Sequence, residues 1–193
     1  MCMQKGVIWV ALVLTLVLTA SSLTSAAILK LGVGVPVDRS FDLEYMKDAE
    51  TNSGQGIKLF GEIYDVIGFS YEHYWQDLQS QDATSGESRD FTFQEEFFSA
   101  YYLFVNSGIR LAAGGGLGSH MLVDSANSYE PGMAVQGFVL AGFNFANLAV
   151  DLTLHKVQGS VSVKETNTIG GDEKLDEIDT SGRYISLNFS MGF

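Results

Sequence analysis

After residue 27, apolar and polar residues alternate along most of the chain, which is the pattern of β-strands whose two faces meet different surroundings. The alternation predicts eight strands, at residues 29–37, 57–64, 67–75, 91–105, 109–117, 133–145, 148–155 and 184–193. Segment 91–105 is aromatic on both faces, so its register stays open. No run of about 18 apolar residues follows residue 27, and no further transmembrane helix is predicted.

The connections between these strands alternate strictly in length. The short connections are residues 65–66, 106–108 and 146–147, and the long ones are residues 38–55, 77–90, 119–132 and 158–182. Short periplasmic turns, long extracellular loops and an even number of strands of about ten residues are typical of outer-membrane barrels. Closure pairs every backbone polar group that hydrocarbon would leave unsatisfied. The sequence therefore predicts an all-β fold, an eight-stranded antiparallel up-and-down transmembrane β-barrel with both termini periplasmic.

The first 27 residues have the order of a secretory signal peptide. Lys5 is followed by an apolar run over residues 6–20 and by small residues over 21–27, so we expect cleavage after Ala26 or Ala27. The alternative is a retained membrane anchor, but the run is shorter than the roughly 20 residues needed to span a bilayer. The predicted division is a cleaved signal peptide at residues 1–27 and a barrel domain at 28–193. The only cysteine, Cys2, leaves with the signal, so no disulfide is expected.

Composition and charge narrow the class of protein. The chain is 46% hydrophobic and 18% charged, with a net charge of −12. Such an acidic chain is a poor partner for nucleic acid, and its hydrophobicity excludes intrinsic disorder. The acidic loop at residues 158–182 either binds divalent cations weakly or is simply a solvated face.

The last strand points to a known family. Its apolar residues alternate up to a terminal aromatic, which resembles the C-terminal signal that the barrel assembly machinery reads; they are Ile185, Leu187, Phe189, Met191 and Phe193. Residues 28–193, with the glycine-rich strand 111–118, resemble the small eight-stranded outer-membrane β-barrels of the OmpA and OmpX type. The resemblance implies a monomer in the outer membrane of a Gram-negative bacterium, surrounded by outer-membrane lipid and lipopolysaccharide. For the OmpX type it also implies adhesion, here to an extracellular ligand of the long loops.

Strand parity predicts what fills the barrel. If the apolar faces meet lipid, the polar partners line the lumen. Six charged residues then face inward: Lys30, Lys58, Glu62, Glu72, Arg110 and Asp151. Because unpaired buried charge is costly, we expect a paired, hydrogen-bonded network that plugs the lumen. An eight-stranded barrel is filled by side chains, so we expect no wide, porin-like conductance.

Aromatic residues near the strand ends predict interfacial girdles, the rings of aromatic side chains at the two lipid boundaries. The residues concerned are Tyr71, Tyr74 and Trp75 at one boundary and Phe143, Phe145, Phe189 and Phe193 at the other. A carbohydrate or hydrophobic-ligand site is the alternative.

No catalytic or metal site is predicted. His73 shares the outward parity of its strand, His120 lies at the start of a long loop, and His155 is the only lumen histidine that parity supplies. His155 lacks the nearby serine of the lipid A deacylase motif, and neither paired histidines nor an EF-hand spacing occurs. We therefore expect no enzyme, cofactor or metal, and a structural or surface-interaction role. The alternatives are a small pore or hydrophobic-solute conduit, a lipid A-modifying enzyme and a soluble lipocalin-like barrel.

Overall fold

The computed structural model of the chain describes residues 28–41, 50–51, 54–81, 88–124, 129–163 and 177–193. The predicted signal peptide and its cleavage site lie outside the described residues, as does most of the acidic loop. The described residues contain no helix long and apolar enough to cross a membrane.

Eleven strands form one sheet in the described part of the chain. They are β1 (Leu29–Phe41), β2 (Glu50–Thr51), β3 (Gln55–Ile63), β4 (Ile67–Gln81), β5 (Ser88–Ser107), β6 (Ile109–Val123), β7 (Tyr129–Glu130), β8 (Gly132–Phe145), β9 (Leu148–Val163), β10 (Glu177–Asp179) and β11 (Gly182–Gly192). Eight of these are long, and each pairs antiparallel with the next long strand. The last, β11, pairs with β1, which closes an eight-stranded up-and-down barrel.

Two irregularities interrupt the ladders. In β1 the register against β11 shifts between Pro36 and Asp38, where proline supplies no backbone N–H. In β5 the register against β6 shifts between Leu103 and Val105. An extra residue of this kind bends a strand and increases its twist, which helps a small barrel to close.

Tight turns join the strands at one end, which we call the short-turn end. Tyr64 and Asp65 have φ of 53° and 54°, the left-handed pair of a type I′ turn, and the Val66 N–H donates to the Ile63 carbonyl at 3.1 Å. Gly108 (φ 84°) and Ala146 (φ 56°) turn the chain at the other two hairpins. The first and last described residues lie here too, since the Phe193 N–H donates to the Leu29 carbonyl at 2.9 Å. The opposite, long-connection end carries β2, β7 and β10.

Burial alternates along the strands and resolves the register that the sequence left open. In β5 the side chains of Phe93, Phe97 and Tyr101 are buried in the lumen, whereas Phe98 and Tyr102 are exposed on the outer wall. The aromatic residues of this strand therefore divide between both faces, which is why its sequence shows no clear alternation.

All eight predicted strands are confirmed, but their predicted ends at the long-connection side are wrong. β4 continues to Gln81, β6 to Val123 and β9 to Val163, well into segments predicted as loops. Backbone hydrogen bonds between strands need no lipid around them, so the ladder continues past the point where the outward residues become polar.

Candidate functional site

Charged side chains gather near the short-turn end of the lumen. We call Lys30, Glu62, Asp65, Arg110 and Asp151 the lower charge cluster. Arg110 Nη2 lies 2.5 Å from Glu62 Oε1, and Arg110 Nε lies 2.8 Å from Asp151 Oδ1. All three side chains are fully buried. Guanidinium bonds to two carboxylates are charge-assisted and stronger than neutral hydrogen bonds, so Arg110 is the centre of this cluster.

Inward-facing glycines make room for these pairs. In the sheet register, Gly142 of β8 lies between Arg110 of β6 and Asp151 of β9. A Cβ on Gly142 would come 2.1 Å from Asp151 Oδ1, so only glycine lets the two side chains meet. Gly68 likewise lies between Glu62 and Tyr101, and the Tyr101 hydroxyl donates to Glu62 Oε1 at 2.9 Å. Alternation of small and large residues is how small barrels fill their taper.

Lys30 pairs with Asp65 within the lower charge cluster, and two asparagines, Asn106 and Asn144, hydrogen-bond to its cations. Lys30 Nζ lies 2.8 Å from Asp65 Oδ1, and Asp65 lies in the three-residue connection between β3 and β4. Lys30 also donates to Asn144 Oδ1 at 3.3 Å, and Arg110 Nη1 donates to Asn106 Oδ1 at 3.3 Å. The Asn144 amide donates to Asn106 as well. The network therefore closes the short-turn end with polar groups that are held by their neighbours.

An apolar layer separates these charges from a second set. The buried residues of this layer are Phe60, Tyr101, Leu103, Ala112, Phe138 and Leu140. Lys58 Nζ lies 4.8 Å above the centre of the Phe138 ring, a cation–π contact that links the layer to the charges beyond it.

Lys58, Glu72, Gln136, His155 and Tyr184 form the upper charge cluster. Lys58 Nζ lies 3.2 Å from Glu72 Oε1, and both side chains are buried. Tyr184 donates to Glu72 Oε2 at 2.7 Å. Ser70 donates to Glu72 Oε1 at 2.9 Å. The Glu72 carboxylate is thus held by one cation and several hydroxyls, as a buried carboxylate requires.

His155 approaches a serine that is distant in sequence. Its Nε2 lies 3.1 Å from Ser186 Oγ on β11, and its Nδ1 lies 3.0 Å from Gln136 Oε1 and 3.8 Å from Glu72 Oε2. A serine, a histidine and a carboxylate in this order are the elements of an acyl-transfer triad. Here, however, Ser186 is fully buried, and the His155 ring stacks on Tyr184 with centroids 4.0 Å apart. The set is therefore packed within the lumen wall.

His120 and Tyr74 lie where the sequence did not predict. His120 was expected at the start of a loop, but it belongs to β6 and is fully buried, with Nδ1 2.6 Å from Thr180 Oγ1 and Nε2 3.4 Å from Glu95 Oε2. The longer strand explains this difference, and His155 is not the only lumen histidine. Tyr74 was expected in an interfacial girdle, but it is buried in the lumen and its hydroxyl donates to Glu72. Its even position on β4 places it inward, with Glu72 and Gln76.

The long-connection end is filled by apolar side chains. The buried residues of this upper apolar cluster are Leu78, Phe91, Phe93, Leu122, Tyr129, Val161 and Ile178. Most of them lie on strand extensions or short strands that the sequence did not predict. Phe91 and Phe93 are the exceptions, because they lie in a predicted strand and their inward parity could have indicated them. Buried side chains thus occupy the described lumen at every level.

The structure places the six predicted lumen residues inside the barrel, in two separate groups. Lys30, Glu62, Arg110 and Asp151 belong to the lower charge cluster, and Lys58 and Glu72 to the upper one. Sequence reasoning missed Asn106, Asn144, Tyr184 and the partners of His155, because their role depends on contacts between distant strands. Within the described residues, no group of three or more histidine, cysteine or carboxylate side chains is arranged to hold a metal ion.

The C-terminal residues lie mostly on the outer wall. Phe189 and Phe193 are exposed, and Ile185 and Leu187 are half-buried. Met191 is buried, in register between Leu31 and Leu148. Phe143 and Phe145 are also exposed near the short-turn end.

Two solved structures share this architecture. The outer membrane protein OprG from Pseudomonas aeruginosa aligns over 87% of this chain and 96% of its own, with a TM-score of 0.55 and 12% identity. Neisserial surface protein A aligns over 88% of this chain and 98% of its own, with a TM-score of 0.50 and 14% identity. The fold is that of a small eight-stranded outer-membrane β-barrel. No protein-family model and no curated protein sequence matches the chain.

These likenesses confirm the predicted fold class and the resemblance to eight-stranded outer-membrane barrels. At 12% and 14% sequence identity, these similarities establish the fold and nothing further about the chain. The narrower OmpA or OmpX type stays a prediction.

Proposed function

We propose that the protein is an integral outer-membrane barrel with a plugged lumen and a structural or surface-interaction role. The observation that carries this proposal is the filling of the lumen by two paired charge clusters and two apolar layers. Such an interior holds the barrel together and leaves no room for a wide aqueous path. In planar bilayers we expect no stable open level on the nanosiemens scale. A stable open level of that size would support the small pore instead.

The outer wall supports the outer-membrane location. Large apolar side chains are exposed around the barrel, among them Leu31, Phe69, Phe98, Val139 and Leu152. A soluble barrel would expose these residues to water at high cost, whereas lipid tails cover them. Membrane fractionation with gel migration before and after heating tests the location. Recovery of the folded chain in the periplasmic fraction would favour the soluble alternative.

The proposed orientation places the long connections outside the cell and both termini in the periplasm. Single cysteines at Ser181 and at Asn147 lie at opposite ends of the barrel, and the only cysteine of the sequence, Cys2, lies in the predicted signal peptide. We expect an impermeant maleimide to label whole cells at Ser181→Cys and not at Asn147→Cys. The reverse pattern would invert the orientation.

In this proposal the long connections bind a partner at the cell surface, and the last strand is recognised during assembly of the barrel. We propose an extracellular ligand for the loops and recognition of Ile185, Leu187, Phe189, Met191 and Phe193 by the barrel assembly machinery. Shortening the loop at residues 164–176 should abolish surface binding without loss of the folded barrel. Deleting Phe193 should lower the yield of assembled protein in cells while the purified chain still refolds in detergent.

We also propose that the chain is not an enzyme, because Ser186 and His155 are buried and packed against Tyr184. Mass analysis of lipid A from cells with the wild-type protein and with the His155→Ala variant should give the same species. A deacylated species that disappears with His155→Ala would establish the lipid-modifying alternative.

A further inference from the structure

Two basic side chains lie next to each other on the outer wall of the barrel. Lys156 of β9 and Arg183 of β11 are partners in the sheet register, and both are exposed. The other basic residues whose side chains the structure describes are Lys30, Lys58 and Arg110, all buried in the lumen. Every outward cation among the described side chains therefore belongs to this one pair, in a chain with a net charge of −12.

This pairing is unfavourable without an anion. Like charges directly opposite each other on neighbouring strands destabilise a sheet. By register, the acidic residue on the neighbouring strand is Asp38, which is the partner of Ile185, two positions from Arg183. Neither Lys156 nor Arg183 forms an ion pair or side-chain hydrogen bond with Asp38 or with any other described residue. Within the described part of the chain the pair therefore has no anionic partner.

The height of the pair matches a lipid headgroup. On β9 the outward residues are Leu148, Val150, Leu152 and Leu154, and Lys156 is the next outward position. On β11 the apolar outward residues end at Ile185, and Arg183 is the next outward position. Lys156 lies about 27 Å along its strand from Leu148. At a tilt of about 40° this is roughly 20 Å of membrane thickness, close to the height of the apolar band of such barrels.

A groove on the outer wall adjoins the two cations. It has a volume of about 1010 Å³, and Lys156 and Arg183 line it together with Ser40, Val139 and Leu154. Gly137, the partner of Lys156 on β8, also lines the groove, and a Cβ on Gly137 would meet nothing within 4 Å. One part of the groove thus carries the two cations and the Ser40 hydroxyl. The other part is an apolar wall in which Gly137 leaves the space of one side chain open.

We propose that Lys156 and Arg183 bind the phosphate of a lipid A-type glycolipid of the outer leaflet, with one acyl chain in the groove over Gly137. The guanidinium offers a bidentate fork to phosphate oxygens, the ammonium adds a second positive charge, and Ser40 supplies a hydroxyl. This inference rests on the proposed outer-membrane location. It adds a specific, phosphate-dependent lipid site on one side of the barrel.

The test is native mass spectrometry of the purified, folded barrel in detergent with diphosphoryl lipid A. A basic residue near an anionic lipid surface contributes about fivefold to affinity, so Lys156→Gln/Arg183→Gln should weaken binding by about thirtyfold. Gly137→Leu keeps both charges and fills the groove, and it should also weaken binding, by severalfold. Fully dephosphorylated lipid A should bind the wild-type barrel no better than it binds the double variant.

A matched control separates the site from net charge. Gln55 and Gln94 face outward in register with Trp75, on the two strands beside β4, which lies opposite β9 in the barrel. Gln55→Glu/Gln94→Glu lowers the net charge by the same two units and should leave lipid binding unchanged. Equal binding by the double Gln variant, or an equal loss in this control, would overturn the site. If inorganic phosphate displaces bound lipid A as effectively as unlabelled lipid A does, the pair binds free phosphate and the lipid proposal is overturned.

Failure of this site is distinguishable from failure of the proposed function. Fractionation and heat-dependent gel migration report the outer-membrane barrel, and neither measurement depends on lipid A binding by Lys156 and Arg183.

Discussion

Arg110 provides a sharp test of how the lumen stabilises the barrel. Its guanidinium donates to Glu62 at 2.5 Å, Asp151 at 2.8 Å, Asn106 at 3.3 Å and Asn144 at 3.5 Å. Arg110→Met keeps the apolar stem but leaves two buried carboxylates without their shared cation. Removing one partner of a buried ion pair costs about 3–5 kcal/mol. We expect Arg110→Met to lower the free energy of unfolding by this amount.

Neutralising the whole group should restore much of the loss. In Glu62→Gln/Arg110→Met/Asp151→Asn no unpaired charge of this group remains buried, and the amide oxygen at position 62 still accepts from Tyr101. The remaining cost is that of weakened hydrogen bonds, about 1–2 kcal/mol. The triple variant should therefore be more stable than the single variant, although it changes more residues.

Unfolding by urea in phosphatidylcholine vesicles measures these differences. Trp75 is the only tryptophan after residue 27, so its fluorescence reports the transition, and gel migration before and after heating gives a second readout. Arg183→Met is the matched control, because it removes an exposed arginine by the same substitution and should change stability by less than about 0.5 kcal/mol. The reasoning is refuted if the triple variant is as unstable as Arg110→Met, or if Arg110→Met behaves like Arg183→Met.

Three further predictions use the same barrel. A Cβ on Gly68 would lie 2.0 Å from Tyr101 Cζ, so Gly68→Val should cost about 1–3 kcal/mol in urea unfolding, whereas Gly137→Ala should cost nothing measurable; equal effects would contradict this view of the packing. Tyr184→Phe removes the hydroxyl that donates to buried Glu72 and should cost about 1–3 kcal/mol in the same assay. Tyr71→Phe, which loses only an exposed bond to Glu96, should cost far less, and the reverse order would argue against the upper charge cluster. In a Trp75→Phe background, brominated lipid should quench the tryptophan fluorescence of Phe98→Trp and not that of Phe93→Trp, because the native side chains are 68% and 0% exposed. Quenching at position 93 would contradict the assignment of Phe93 to the lumen.

Much of the fold was predictable because a strand repeats every two residues. Lys58, Glu62 and Glu72 share inward parity, so a count along the strands assigns them to one side of the wall without any contact being known. The same count failed at β5, where Phe93 and Phe98 are both aromatic and the two faces look alike in sequence.

The partners within the lumen were not predictable from strand parity. Arg110 contacts Glu62 and Asp151, which are 48 and 41 residues away in sequence. The contact with Asp151 also requires that residue 142 has no side chain. His155 meets Ser186 from 31 residues away. Such pairings depend on the stagger of eight strands around the closed sheet, and no local motif encodes that stagger.

The sequence by itself determined the alternation, the strand count, the order of short and long connections and the inward side of most strands, because each depends only on local periodicity. The tertiary structure decided the rest. The ladder of β6 continues past the predicted strand end and brings His120 into the lumen, and the pairing of β9 with β11 places Lys156 beside Arg183. The stagger of the closed sheet separates the buried charges into two clusters, because it fixes which residues of distant strands share a level.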